Sequence, residues 1–177
     1  MKKVIITYGL ISGAIVSVML FVSMPLFQRG LLHHDNGMYV GFASMIIAFS
    51  LIFFAIKSYR DKYLNGSISF GMGFTVGILI TLIGSVVYAV SWDIIVRTMW
   101  PNFAEWYNQL QLEQLSNKGV SDQEIAEAKL EMEKFASMYA NPFIRFGFTV
   151  MEIFPVGLII TIISAGVLRK KDFLPAE

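Results

Sequence analysis

Four long apolar runs separated by polar stretches set the pattern of this chain. They cover residues 4–27, 37–56, 68–92 and 146–168; the first three contain no Asp, Glu, Lys or Arg, and the fourth contains only Glu152. About 20 apolar residues in a helix cross a hydrocarbon layer. Lipid offers the backbone no hydrogen bonds, so segments this apolar must satisfy their own as helices. The pattern predicts an all-α fold: an integral membrane four-helix bundle, a single membrane domain over residues 1–177. No alternating period of the kind a barrel needs is present.

The stretch between the third and fourth runs differs in kind. From Trp100 to Asn141 it is polar and leans acidic. Pro101 can open a helix in its first turn, and residues 102–116 follow as a helix. Asn117-Lys118-Gly119 reads as a turn or C-cap. Ser121 and Glu124 then have capping-box spacing, and Ile125, Ala128, Met132, Phe135 and Tyr139 recur at helical intervals until Asn141-Pro142. An extra-membrane helical hairpin over about residues 101–141 is expected, or two helices running on from the spans. Its apolar stripe would pack on its partner helix or on the membrane surface; a peptide-binding surface is the alternative.

Charge sorts by connection. Lys2 and Lys3 precede the first run, Lys57, Arg60 and Lys62 follow the second, and Arg169, Lys170 and Lys171 follow the fourth. Four crossings put all three groups on one side, and the Lys/Arg bias makes that side cytoplasmic. The opening Met1-Lys2-Lys3 has the charge of a secretory leader, but residues 4–27 outrun a leader's apolar core and no small-residue cleavage pattern follows. A retained helix is expected. Trp92, Trp100, Trp106 and Tyr107 would anchor the outer interface, and Tyr59 and Tyr63 the inner one.

Small residues mark where helices in lipid approach closely. Gly9, Gly13 and Ser17 recur at four-residue intervals in the first span. Gly73, Gly77 and Thr81 do so in the third, continued by Gly84 and Ser85, and Gly157, Thr161 and Ala165 in the fourth. The stripes predict an intramolecular bundle, with a dimer interface along one of them as the alternative.

Composition narrows the chemistry. Hydrophobic residues make up 55% of the 177, charged residues 15%, and the net charge is +1, which gives no basic surface for nucleic acid. The absence of cysteine excludes disulfides and thiolate metal sites. His33-His34-Asp35 has metal-ligand chemistry, but adjacent residues point apart and no second cluster accompanies them. Nucleophile, P-loop and dinucleotide motifs are missing, and neither a cofactor nor a metal is expected.

The candidate chemistry is confined to a few charges. Glu152 lies well inside the fourth span, where an ionisable side chain should face the bundle interior or a wet cavity. Pro155, one turn on, can kink the helix. As a site Glu152 would carry a proton or cation; as structure it would clamp helices. Asp93 and Arg97 end the third span on one face and Arg145 opens the fourth, forming an outer polar cluster. These residues either pair under the headgroups or Asp93 and Arg145, with Glu152, line an outward cavity. An intramembrane enzyme would need Asp93 and Glu152 brought together.

Two longer stretches point to a family. Tyr59-Arg60-Asp61-Lys62-Tyr63-Leu64-Asn65-Gly66-Ser67-Ile68-Ser69-Phe70-Gly71 and Met151-Glu152-Ile153-Phe154-Pro155-Val156-Gly157-Leu158 resemble the family called "domain of unknown function 4199", and the likeness extends over nearly the whole chain. The resemblance implies a four-span bacterial membrane protein and carries no activity. It brings out Glu152 and the inner turn of Arg60, Asp61, Asn65 and Gly66. Physically, Asn65-Gly66 supplies positive-φ residues and Ser67 or Ser69 can cap the third helix.

The functional expectation is a non-enzymatic accessory, sensing or scaffold protein of the cell (inner) membrane. The alternative is a small proton- or cation-coupled transporter or channel subunit using Glu152. Expected partners are the lipid bilayer and either a second copy or another membrane protein.

Overall fold

In the computed structural model, residues 1–32 and 34–169 are described, and His34, Asp35 and Asp122 by backbone alone. Among them are six helices: α1 (Lys2–Gln28), α2 (His34–Tyr63), α3 (Phe70–Thr98), α4 (Phe103–Asn117), α5 (Asp122–Tyr139) and α6 (Pro142–Leu168). Helices α1, α3 and α6, and α2 from Asn36, are long and apolar enough to cross a membrane. The fold is all-α with four membrane-spanning helices and a helical hairpin, α4–α5, between the third and the fourth.

The helices overrun the apolar runs. The basic stretch from Lys57 to Lys62, expected as a connection, is the last part of α2. Charged side chains there reach the interface without breaking the helix. The turn itself is short. Asn65 and Gly66 take positive φ, +50° and +83°, and the amides of Leu64 and Gly66 return to the carbonyl of Arg60. Ser69 caps α3 by accepting the Met72 amide at 3.2 Å. At the far side of the hairpin, Ala140 closes α5 and Asn141 caps α6, accepting the Phe143 amide at 2.9 Å, with Pro142 in the first turn. Ser121 accepts the Glu124 amide, and the Glu124 carboxylate accepts the Ser121 N–H in return, which completes the expected capping box. The last helix runs unbroken through Pro155.

The chain divides into two compact units. One comprises Met1–Ala89 and Thr149–Glu177 and holds α1, α2 and most of α3 and α6. The other, Val90–Phe148, holds the hairpin with the end of α3 and the start of α6.

The first unit is built on the small-residue stripes. Gly73 faces Ala165, Gly77 faces Thr161, and Gly157 faces Thr81. Each four-residue step up α3 thus meets a four-residue step down α6, so the two helices are antiparallel with their stripes in contact. Gly9 and Gly13 of α1 face Ile83 and Val87, so α1 runs parallel to α3. From α2, the fully buried Phe49, Ile52 and Ile56 fill the seam beside Gly157, Gly77 and Gly73. Gly37 near the start of α2 lies against Phe27 near the end of α1. Lys62 at the other end of α2 shares a cleft with Lys3. The order is therefore up, down, up, down, with the start of α1 and the end of α6 at one end of the unit. Dispersion between close backbones, not expulsion of water, holds such a seam. The buried hydroxyls of Ser12 and Ser85 are exceptions to its polar economy, having no hydrogen-bond partner.

Candidate functional site

In the second unit, a polar cluster assembles where α3 ends and α6 begins. Helical spacing places Asp93 and Arg97 on one face of α3, and Arg97 Nε donates to Asp93 Oδ2 at 2.7 Å. Arg145, in the first turns of α6, donates from Nε to Asp93 Oδ1 at 3.0 Å and from Nη2 to the same oxygen. Arg145 is buried, with 6% of its surface exposed, whereas Arg97 is largely in solvent. The expected trio is thus brought together as an ion-pair cluster.

The cluster has two further members that the charge pattern did not indicate. Arg145 Nη1 donates to the backbone carbonyl of Tyr139 at 3.1 Å, and its guanidinium lies 5.8 Å from the centre of the Tyr139 ring. Trp92 Nε1 donates to the Tyr139 hydroxyl at 2.6 Å. Phe103 packs edge-on against Trp92 at 4.8 Å and contacts Trp100 and Tyr107. The available signal was the density of Trp and Tyr between positions 92 and 107, together with Tyr139 just ahead of the proline. Chemically, both carboxylate oxygens of Asp93 are occupied by guanidiniums. The group is suited to fixing helix ends, not to taking or giving a proton.

In the first unit, the inner turn docks through Arg60. Its Nε donates to Asp61 Oδ1 at 2.7 Å, and its Nη1 reaches the Leu168 carbonyl, at the end of α6, at 3.4 Å. A cation there satisfies an orphan carbonyl and complements the negative end of the helix dipole. Of the family-like turn residues, Arg60 therefore ties α2 to α6, Asp61 orients it, and Asn65 and Gly66 provide the reversal.

Glu152 lies on the exposed surface of α6, beside the helix's buried line. The reason lies in helical register. Thr149, Ile153, Gly157, Thr161 and Ala165 form the buried line of the helix, and Glu152 is rotated about 100° away from it. Its face is shared by Phe148, Met151 and Ile159, exposed by 42%, 73% and 56%. The stripe of Gly157, Thr161 and Ala165, carried back by fours, arrives at Ile153 and already excluded its neighbour. The same turn holds Pro155, which leaves the Met151 carbonyl without its intrahelical donor.

Among the described residues, no three His, Asp or Glu side chains gather as metal ligands. The His33-His34-Asp35 candidate lies outside the residues whose side chains are described, as do Lys170 and Lys171.

No curated protein and no solved structure matches this chain. Residues 7–170 match the family described as "Protein of unknown function (DUF4199)", and that match spans all four membrane helices, the Arg60–Gly66 turn and Glu152. The chain belongs to this family of unknown function.

Proposed function

We propose that this protein is a non-enzymatic accessory or scaffold component of a bacterial inner membrane, with both termini in the cytoplasm. It docks through the Glu152 face of α6 against a partner membrane helix that offers a hydrogen-bond donor or a cation. The observation that carries the reading is the exposure of Glu152 on the face of Met151 and Ile159. An acidic side chain facing lipid at that depth costs roughly 3 kcal/mol on insertion scales. A donor on a neighbouring helix offsets that penalty. The orientation is supported by the gathering of Lys3, Arg60 and Lys62 at the end of the bundle where the chain begins, in accord with the bias of basic residues toward the cytoplasm.

The competing reading makes Glu152 the ion-carrying group of a small transporter. Proteoliposomes holding the purified protein and a pH-sensitive dye separate the two. The scaffold reading expects no proton or cation flux above protein-free vesicles. A flux that depends on pH and disappears in Glu152→Gln, with the fold intact, would establish transport instead.

A further inference from the structure

A cleft of about 260 Å³ opens between the start of α1 and the end of α2. Lys3, Thr7 and Tyr8 line it from one helix, and Ser58, Lys62 and Tyr63 from the other. Among the described residues its walls offer two ammonium groups and four hydroxyls, and no carboxylate. The nearest acid in sequence, Asp61, is held by Arg60 at 2.7 Å. Both lysines are exposed and line the same cleft. Lysine suits a phosphate as a compact point charge with several donors.

Position decides what kind of phosphate. The cleft sits at the end of two spans, at headgroup depth. The helical lines that carry its polar residues continue into lipid-facing apolar ones: Lys3 and Thr7 lead to Leu10 and Ile11, and Lys62 and Ser58 lead to Phe54. All three of these apolar side chains are about half exposed. An anion with acyl chains would lay its headgroup in the cleft and its tails along those lines. A free anion would use only the upper part.

We propose that this cleft binds the phosphate of an anionic phospholipid headgroup, with Lys3 and Lys62 as paired cations and the Thr7, Tyr8, Ser58 and Tyr63 hydroxyls as hydrogen-bond donors. The site goes beyond the accessory role and stands whether or not Glu152 meets a partner.

Native mass spectrometry of the full chain in detergent tests it, with phosphatidylglycerol and phosphatidylcholine as probes. The wild type is expected to retain phosphatidylglycerol in preference to phosphatidylcholine. Lys3→Gln/Lys62→Gln should weaken that retention on the order of thirtyfold, from the typical contribution of a basic residue near an anionic headgroup. The charge-matched Lys2→Gln/Lys57→Gln, which leaves the cleft lining intact, should bind as the wild type does. Equal binding of both lipids by the wild type would overturn the proposal without recourse to any variant. An equal loss in the two double variants would overturn it too, by reducing the effect to diffuse surface charge. Displacement of the lipid by excess inorganic phosphate would reassign the cleft to a soluble anion and end the lipid proposal.

Discussion

The hydroxyls of Thr81 and Thr161 meet at 3.2 Å inside the bundle, and each threonine also lies against a glycine of the other's helix. The Thr81 hydroxyl is also within donating distance of the Gly77 carbonyl, at 3.0 Å, and either hydroxyl can donate within the pair. The reciprocity fixes the register of α3 on α6: a slip of either helix would unpair both hydroxyls and drive both threonine methyls into backbone.

That geometry predicts which glycines accept a methyl group. A Cβ at Gly157 would stand 2.4 Å from Thr81 Cγ2, and one at Gly77 2.6 Å from Thr161 Cγ2, whereas Gly147 and Gly166 face open space. Gly157→Ala and Gly77→Ala should each destabilise by about 1–3 kcal/mol through overpacking. Gly147→Ala and Gly166→Ala should be neutral or gain up to about 1 kcal/mol from helix propensity. Thermal unfolding in detergent measures the contrast.

The Asp93 cluster predicts unequal arginines. Arg145→Met removes the buried partner and leaves Asp93 poorly compensated, a loss on the order of 3–5 kcal/mol. Arg97→Gln removes a largely exposed one and should change stability by less than about 1 kcal/mol. Limited proteolysis within residues 100–141 reports the difference: the hairpin should be cut far faster in Arg145→Met and at the wild-type rate in Arg97→Gln.

The capping box predicts a pH dependence for α5. The Ser121 N–H and hydroxyl donate to the Glu124 carboxylate and hold its pKa below the ordinary 4.5. A group with a depressed folded pKa stabilises above its unfolded value, and that contribution is lost as pH falls through the folded one. Amide protection at the start of α5, taken relative to the intrinsic exchange rate at each pH, should therefore fall below about pH 4.5, at pH values under the ordinary glutamate range. Ser121→Ala should weaken the helix start by about 1 kcal/mol at neutral pH and flatten the pH response. An unchanged profile in that variant would remove the box as its cause.

The exposed face of α6 predicts a contact in the native membrane. A photo-crosslinking residue in place of Met151 should give one discrete adduct, and Glu152→Leu should diminish it at least severalfold. The same probe at Ile46, an exposed position on α2, should give only lipid adducts. A Met151 probe that labels lipid alone would contradict docking through this face.

How much was legible follows from which patterns are one-dimensional. Span number, the capping box, the Asn65-Gly66 reversal and the three stripes depend on residue type at fixed spacing, and each is present as read. The pairing of stripes, α3 on α6 and α1 on α3, is a matter of which helices become neighbours, and spacing within one helix does not encode that. The surface position of Glu152 depends on helical register as well as on depth in the span; Ile153, one residue on, holds the inward position. Trp92 and Tyr139 join the polar cluster from positions far apart in sequence, where spacing marks the one as an interfacial anchor and the other as part of an apolar stripe. The helical state of Lys57–Lys62 was hidden because charge marks where a span leaves the lipid, not where its hydrogen bonding stops.

The proposed topology puts Lys2 on the cytoplasmic side, and four crossings of the chain then require the segment between the third and fourth spans to be reached from the opposite side. The chain has no cysteine of its own, so single-cysteine variants report topology without background. With a membrane-impermeant maleimide, Ser116→Cys in the hairpin should label in intact spheroplasts, and Lys2→Cys only after permeabilisation. Labelling of Lys2→Cys in intact spheroplasts, or of both positions from the same side, would contradict the account.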